Sequence, residues 1–458
     1  MSDINKDSDI ENLYRLNGKV PIIPALLNGL QHVLAMFVSN VIPIILITNV
    51  VKLNGDPISD LLKTKLIQNA MIVAGISSLI QIFGIWKIGS RLPIILGISF
   101  TFLSVALAHT DKDYNIILGS ILVGGIIEGL LGLFYKYWKR IISPIVAACV
   151  VIGIGISLLP VCISSFGGGS PEMADFGAFQ YWIIGLTTLI SSIIALHTLK
   201  SSTKSLAPLI GIIVGTIVSI PFGLFKIDNL MNHGVFSLPQ LFPTGMPKFE
   251  LGNIISFIFI YLVSATETIG DTSAICHGAL NRPMTEKEGS GSLACDGFSS
   301  ALASTFGCMS TTSFSQNVGL INLTKVVNRY VVATGALILV IAGFFPPIAA
   351  LLQSVPQSVL GGCTILMFGQ IFISGLQMLY ETNLTNRNIS IASISVCLSV
   401  GLTTHSKIFQ FMPTIIKDIF AKNPVSVIFI SALLLDLLLP KETKKEEKID
   451  NQEKEGSD

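Results

Sequence analysis

Residues 311–325 read TTSFSQNVGLINLTK and form the least membrane-like stretch between two strongly hydrophobic parts of the chain. The stretch carries Ser, Gln, Asn and Thr together with Gly319, so it is too polar to face lipid. Hydrocarbon cannot satisfy free backbone groups, so such a segment is stable at membrane depth only where protein surrounds it or where it lines a cavity. We therefore expect a broken helix here, with Gln316 and Asn317 at the break.

The composition of the rest of the chain is that of a membrane protein. Of the 458 residues, 51% are hydrophobic and only 12% are charged, which lies outside the range of ordinary soluble domains. The formal net charge of +1 and the scattered basic residues exclude a strongly basic nucleic-acid binder. The seven cysteines stand singly, without a CxxC pair or a Cys/His cluster, so we assign no metal, cofactor or redox role to them.

Apolar runs along the chain predict an all-α polytopic membrane protein with fourteen segments, since a helix needs roughly 20 apolar residues to span the bilayer. The approximate bounds of the segments are residues 24–48, 66–86, 93–108, 115–135, 142–162, 180–199, 206–224, 252–278, 292–307, 310–326, 330–352, 356–380, 387–404 and 423–440.

Segments three and ten are both short and interrupted, and both centre on Ser-Phe. They read GISFTFLS at residues 97–104 and TTSFSQNVG at residues 311–319. Interrupted segments at matching places in two halves indicate a substrate site between repeats. Because each half has seven segments, an odd number, residues 21–224 and 252–440 are predicted to be inverted repeats, joined by a loop at residues 225–251.

The charge pattern predicts a multi-pass protein of the plasma membrane, or the bacterial cell membrane, with both termini in the cytoplasm. Residues 1–20 lack the apolar core of a signal peptide, and residues 441–458 form a Lys/Glu tail that we expect to be disordered. With the N-terminus inside, every arginine falls on the cytoplasmic side, as the positive-inside rule requires: Arg15, Arg91, Arg140, Arg282, Arg329 and Arg387. The lysines are less biased, and those expected outside are Lys52, Lys63, Lys65, Lys226 and Lys407.

Ionisable residues inside the predicted segments are functional candidates, because charge is costly within the membrane. Glu267 and Asp271 lie in SATETIGDTSA of segment eight. Being four residues apart, they share one helical face at a distance of about 6 Å. Close like charges favour protonation of one partner, which suits residues that take up and release a proton during transport. The alternative for both is a structural role through buried hydrogen bonds.

Other polar residues within the segments have more open roles. Asp296, twenty residues before Gln316, is expected either to face the same cavity or to anchor helices. His32 is a candidate for substrate contact, for a hydrogen bond near the site or for a structural role. Glu128 is flanked by glycines and is expected to serve helix packing or a gate, with binding as the alternative, and Asp436 is assigned a structural role.

The carboxamides of Gln316 and Asn317 offer hydrogen-bond donors and acceptors in one plane. Such groups suit the polar edge of a flat heterocycle, where an unmade hydrogen bond in a dry site is heavily penalised. Phe100 lies near the facing break in segment three and is a candidate to stack on the ring. The alternative for Phe100 is a place in the hydrophobic core.

The sequence QNVGLINLTK at residues 316–325 resembles the signature of the nucleobase–ascorbate transporter family, also called nucleobase:cation symporter 2. That signature is Gln/Glu/Pro-Asn-x-Gly, four residues, then Thr and Arg/Lys/Gly. Gln31 and His32 in segment one, ET-x-GD at residues 267–271 and the spacing of Asp296 from Gln316 also fit. The resemblance covers about residues 20–440 and is to the xanthine/urate permease-like branch.

The resemblance implies a fold and a mode of action. It implies fourteen transmembrane segments in two inverted repeats, divided into a core domain and a gate domain. Segments three and ten would each be half strand and half helix, with the two short strands paired antiparallel. The resemblance also implies a homodimer in the lipid bilayer and an elevator-type movement of the core against the gate.

The resemblance also implies residue roles. Glu267 would hydrogen-bond the base and serve the proton, Gln316 would read another polar edge, and Asn317 would support the break. Phe100 would lie on the segment-three strand, where the family places substrate-contacting backbone. The network around them would consist of Asp271, Asp296 and His32, with the first two sharing the proton-coupling role.

Family members that carry uracil have Glu at the position of Gln316 and His at that of Asp271, whereas xanthine and urate carriers have Gln and Asp. The resemblance therefore implies import of a purine, xanthine first and urate next, with uracil or another nucleobase as the alternative. Microbial members use protons and some animal members use sodium. The Glu267/Asp271 pair fits protons without excluding sodium.

Two other classes of protein remain as alternatives. Anion carriers of the sulfate or bicarbonate type share the fold in outline, but anion sites use helix N-termini and a cation, and an acidic cavity would repel sulfate. A nucleobase-binding receptor would need an output domain, which the short tails do not provide. No nucleophile–base set or metal triad in the sequence indicates an enzyme.

Overall fold

The computed structural model describes residues 11–138, 143–225, 234–413, 416–421 and 423–440. Over residues 11–225 the helices are α1 Ile22–Val50, α2 Asp60–Phe83, α3 Phe100–Ala108, α4 Tyr114–Leu133, α5 Tyr135–Trp138, α6 Pro144–Phe166, α7 Phe179–Thr198 and α8 Ala207–Ser219. After residue 234 the helices are α9 Leu251–Gly278, α10 Glu286–Thr305, α11 Ser315–Thr324, α12 Arg329–Gly343, α13 Pro346–Gln353, α14 Gln357–Glu381, α15 Asn386–Thr404 and α16 Pro424–Leu438.

Within these ranges eight helices are long and apolar enough to cross a membrane, or nine if the bent pair α12–α13 counts as one span. The protein is therefore a multi-pass membrane protein. α10 is not among the eight, because its sequence is rich in Ser and Gly and carries acidic residues. Most of α10 is nevertheless buried inside the protein, so its polar groups face other helices rather than lipid.

Each predicted segment contains a helix, but several bounds differ from the prediction. α2 begins at Asp60 rather than near residue 66, because the Ser59 hydroxyl caps it by accepting from the Leu62 amide at 3.4 Å. α10 begins at Glu286 rather than near residue 292, because Thr285 and Glu288 form a capping box ahead of the apolar part. The length of an apolar run shows how much of a helix can cross the membrane, whereas the capping residues determine the residue at which the helix begins.

The predicted segment 330–352 is not one continuous helix. It forms α12 and α13, which meet at an angle of 85°. α13 starts at Pro346, which has no amide hydrogen to continue the hydrogen bonding of α12. The sequence prediction of one segment at residues 330–352 did not include this bend, because the apolar run continues through the proline.

Two short strands pair in the interior, apart from a small hairpin formed by β1 Lys52–Leu53 and β2 Asp56–Pro57. β3 Leu96–Ile98 lies antiparallel to β4 Thr311–Ser313, with Gly97 opposite Thr312. All residues of both strands are buried. β3 leads into α3 and β4 leads into α11. Because the strands are antiparallel, the two short helices leave the pair in opposite directions with their N-termini near the strands.

The helices pack in two groups. The first group comprises α1–α5 and α9–α13 with the strand pair, and the second comprises α6–α8 and α14–α16. Close glycine contacts join α4 to α10, since a Cβ on Gly297 would lie 2.1 Å from the Gly129 nitrogen. Small residues at such contacts let helix backbones approach closely. The two groups meet along a narrower boundary, next to α3 and α11.

The described part of the predicted N-terminal tail is docked on the first helix group. The Leu13 carbonyl accepts from the amides of Val327 and Asn328 at 3.1 and 3.2 Å, and the Asn328 side chain donates to the Asn12 carbonyl at 2.8 Å. Several residues used in the sequence predictions lie outside the described ranges, namely Arg140, Lys226 and the two tails at residues 1–10 and 441–458.

Candidate functional site

The strand pair is fixed by contacts that reach beyond its own backbone. The Ile98 amide donates to Asn40 Oδ1 of α1 at 2.8 Å, and the Phe314 amide donates to the Ile95 carbonyl at 3.0 Å. Phe314 also lies directly over Gly97, where a Cβ would come within 2.1 Å of its ring. Only glycine fits at this position, so the sequence allows the two strands to meet under the phenylalanine ring.

Glu267 and Asp271 lie on α9 and contact the first residues of the two short helices. The Thr101 hydroxyl of α3 donates to Glu267 Oε2 at 3.0 Å. The hydroxyls of Ser313 and Ser315, at the junction of β4 and α11, donate to Asp271 Oδ2 at 2.6 and 3.1 Å. Each carboxylate therefore lies at one helix N-terminus, where the helix dipole favours negative charge.

Asp296 of α10 joins the same region from behind β4. Its Oδ2 accepts from the hydroxyls of Thr268 at 2.5 Å and Thr312 at 3.1 Å. The side chain is fully buried, and its Oδ1 has no hydrogen-bond partner within the described residues. Asp296 thus ties α9, α10 and β4 together, which is the anchoring arrangement considered from the sequence, and it keeps one free oxygen.

His32 and Asn317 form a buried pair between α1 and α11. His32 Nδ1 lies 3.0 Å from Asn317 Oδ1, and because a carbonyl oxygen only accepts, the ring nitrogen is the donor. Both side chains are buried. The pair fixes the first turn of α11 next to α1, which is a position that sequence spacing alone could not reveal, since the two residues are far apart in the chain.

Gln316, the residue before Asn317, instead lines a cavity of about 230 Å³ between the two helix groups. The first group lines the cavity with Ala35, Ser39, Gln316, Gly319, Leu320 and Leu323, and the second with Leu196, Lys204, Ser205, Pro208, Leu366, Met367 and Gln370. The other candidate residues are not on this lining. Gln316 is exposed, unlike its buried neighbour Asn317.

Phe100 opens α3 and is only 7% exposed. Its ring packs edge-on against Phe368 of α14, with centroids 5.3 Å apart. Phe100 therefore contacts the second helix group directly beside Met367, one of the cavity residues. Phe100 therefore packs in the hydrophobic core, which was the alternative considered from the sequence. Stacking of its ring on a ligand stays a prediction.

The two remaining intramembrane acids differ in their surroundings. Glu128 of α4 is fully buried, and its carboxylate lies near Asp296 and the Ser264 side chain. Asp436 of α16 pairs with Arg387 of α15 at 2.8 Å, which is the structural role predicted for it. Among the residues that the structure covers, no group of three or more His, Cys, Asp or Glu side chains could hold a metal ion.

Sequence reasoning missed most of the uncharged residues of the site. The hydroxyls of Thr101, Ser313 and Ser315 hold the two carboxylates, and Asn40 holds β3. A usable signal was present, because Asn40 interrupts an otherwise apolar segment and the hydroxyl residues flank both predicted breaks. Lys204 was also missed, since it precedes the apolar part of its segment.

Two interrupted segments whose short helices point in opposite directions, inside a helical multi-pass protein, are typical of membrane transporters. Sequence comparison then places the chain more narrowly. A family model described as the permease family matches residues 24–408. The chain therefore belongs to this permease family, the nucleobase–ascorbate transporters, and the resemblance seen in residues 316–325 is confirmed. The family transports solutes, so the protein is a permease and not an enzyme.

Several relatives match over nearly the whole chain. A putative purine permease of Clostridium perfringens is 32% identical over 436 residues, covering 95% of this chain and 94% of that protein. Xanthine permease XanQ of Escherichia coli is 31% identical, with 96% of each chain covered. Uric acid permease PucJ of Bacillus subtilis is 30% identical, with 91% of this chain and 93% of that protein covered.

Solved structures share the fold at low identity. The transmembrane domain of a cyanobacterial bicarbonate transporter, BicA, matches with a TM-score of 0.52 and 14% identity, covering 90% of this chain and 97% of that chain. The murine anion transporter Slc26a9 in its inward-facing state matches with a TM-score of 0.59 and 13% identity, covering 94% and 70%. At this identity the likeness concerns architecture alone.

Proposed function

We propose that the protein imports a purine nucleobase, xanthine first and urate next, together with protons. The observation that carries this proposal is the placement of Glu267 and Asp271 at the two opposed helix N-termini, with Asp271 bonded to Ser315, the residue before the Gln316 that lines the cavity. The permease relatives named for xanthine, uric acid and purines support the substrate class.

In this proposal Gln316 reads a polar edge of the base, and Glu267 binds the base and carries the proton. Asp271 and Asp296 share the coupling role. His32 and Asn317 hold the turn beneath Gln316, and Phe100 packs beside the ring. Glu267 and Asp271 each accept hydrogen bonds from hydroxyls of the other elements, so a change in their protonation acts directly on the two short helices.

The proposed transport cycle is an elevator movement of the first helix group, as the core, against the second, as the gate. Support comes from the denser packing within each group than between them and from the cavity at their boundary. We further propose fourteen membrane segments in two inverted repeats, cytoplasmic termini and a homodimer. The two strand-to-helix units that run in opposite directions support the inverted arrangement.

A transport assay tests the proposal. Purified protein in proteoliposomes with an inward proton gradient should accumulate labelled xanthine, and an ionophore that collapses the gradient should stop accumulation. A sodium gradient at equal pH separates proton from sodium coupling. Competition by urate, hypoxanthine, guanine and uracil ranks the substrates. The proposal is lost if none of these bases is accumulated, and bicarbonate or sulfate flux instead would favour an anion carrier.

A further inference from the structure

The cavity beside Gln316 has a second polar wall, which the other helix group supplies. Lys204 and Ser205 belong to the short 3₁₀ helix Ser201–Leu206, and Gln370 belongs to α14. This 3₁₀ helix connects α7 and α8 and also contacts α1 and α11. Lys204 is therefore held at the boundary between the two helix groups, facing the turn that carries Gln316.

The side chains of Lys204, Gln316 and Gln370 are available for a ligand. All three are exposed, and within the described residues none of the three makes a hydrogen bond or ion pair through its side chain. The acids behind the cavity differ, since Asp271 and Asp296 both accept hydrogen bonds from hydroxyl groups. These three side chains therefore offer hydrogen-bond donors and acceptors that a ligand in the cavity could use.

Lys204 is the single charged residue on the lining of this cavity, among the residues that the structure describes. A lysine ammonium is charged at neutral pH, so the wall that the second helix group contributes to the cavity carries a positive charge. Hydrogen bonds to an ionised group are roughly twice as strong as those between neutral groups. A ligand with a negatively charged oxygen would therefore gain more from this wall than a neutral one.

We propose that Lys204 and Gln370 bind the edge of the purine opposite Gln316, and that Lys204 selects oxopurines that carry a negative charge. This inference rests on the proposed function. Urate is an anion at neutral pH, whereas hypoxanthine is a neutral purine that carries one ring oxygen substituent instead of three. Lys204 meets the anionic oxygen, and the Gln370 carboxamide hydrogen-bonds the ring edge without regard to charge.

Ligand binding to the purified full-length protein, measured by calorimetry with urate and with hypoxanthine, tests the role of Lys204. Lys204→Gln should weaken urate binding about tenfold and leave hypoxanthine binding within about twofold of wild type. Lys204→Arg should retain most of the urate affinity, because the charge remains. The matched control is Lys200→Gln, at an exposed lysine that precedes the same 3₁₀ helix but is not on the cavity lining, and it should leave both affinities unchanged.

Gln370→Leu tests the uncharged part of the wall. It should weaken urate and hypoxanthine binding by similar factors, because the lost hydrogen bonds do not depend on ligand charge. Equal affinities of wild type and Lys204→Gln for urate would overturn the charge selection and would favour a lysine that extends to lipid headgroups. Equal weakening of both ligands by Lys204→Gln would also overturn it. A wild-type protein that binds neither base would instead overturn the proposed function.

Discussion

Glu267 is a partly buried acid whose hydrogen-bond partner belongs to a short helix that starts at the strand pair. Thr101 donates to it at 3.0 Å, and a glutamine side chain could accept the same hydrogen bond. The carboxylate is therefore not required to hold α3 in place. What only the carboxylate can supply is the uptake and release of a proton.

Glu267→Gln should reduce proton-driven xanthine uptake to background while the protein remains folded, because the hydrogen bond to Thr101 is kept and the titrating group is lost. Uptake into proteoliposomes and the elution profile in detergent measure the two effects separately. Glu250→Gln is the control, since Glu250 pairs with Lys112 at the start of α9 in a partly exposed ion pair, away from the cavity lining, and ion pairs near the surface contribute about 1 kcal/mol or less. Full gradient-driven uptake by Glu267→Gln would move the proton site elsewhere.

Gln316 and Asn317 are adjacent in sequence, yet the structure gives them separate tasks. Asn317→Ala removes the buried partner of His32 Nδ1 and should lower the free energy of unfolding by about 1–3 kcal/mol. Gln316→Ala removes an exposed side chain and should change that free energy by less than about 0.5 kcal/mol while abolishing xanthine binding. Thermal unfolding in detergent and calorimetry measure both. A stability loss in Gln316→Ala equal to that in Asn317→Ala would contradict the assignment.

At the scale of elements, the sequence allowed the position of every apolar helix to be predicted, because the length of an apolar run reports directly on membrane crossing. It did not allow the ends of α2 and α10 or the bend at Pro346 to be predicted, because caps and a missing amide hydrogen act locally and leave apolarity unchanged. The strands β3 and β4 were expected only from the family resemblance. Strands of three residues are too short to show the alternation of apolar and polar side chains that predicts a strand, and their pairing depends on tertiary contacts.

The residues of the candidate site were likewise only partly predictable, because many of their contacts form only in the folded protein. The charged candidates and the QN turn were found because polar residues are conspicuous in apolar segments. Their partners were not found, because Thr101, Ser313 and Ser315 are common residues in such segments and gain their role only from the folding of α9 beside both short helices.

Gly97 offers a test of the strand pair as an element. In Gly97→Ala the new Cβ would lie 2.1 Å from the Phe314 ring and 2.8 Å from Asn40 Oδ1. Such overpacking should cost about 1–3 kcal/mol of stability and should abolish uptake by separating β3 from β4. The control is Gly401→Ala in α15, where a Cβ meets nothing within 4 Å and helix propensity should improve stability by up to about 1 kcal/mol. Normal uptake by Gly97→Ala would show that the strand pair tolerates separation.

At the scale of the whole molecule, the boundary between the two helix groups decides whether transport involves movement of one group against the other. Contacts across this boundary are sparse, although long helices also meet there, as α9 does with α16, whereas within the groups long helices pack along their length, as α6 does with α14 and α4 with α10. Relative movement of the groups therefore breaks fewer contacts than rearrangement inside either of them. The cavity residues Leu196 of α7 and Leu323 of α11 lie on opposite sides of this boundary.

Cross-linking tests this movement directly. With the native cysteines replaced, cysteines at Leu196 and Leu323 joined by a reducible thiol-reactive cross-linker should block xanthine uptake, and reduction should restore it, because the link holds the two groups in one arrangement. The control pair is Lys65 and Gln240, whose side chains meet at 3.2 Å on the exposed surface of the first group. Cross-linking these two positions should leave uptake unchanged, since both belong to the part that moves as one. Uptake at the full rate after complete cross-linking of Leu196 to Leu323 would contradict the elevator movement. It would show that transport does not require the two groups to move relative to each other at this boundary.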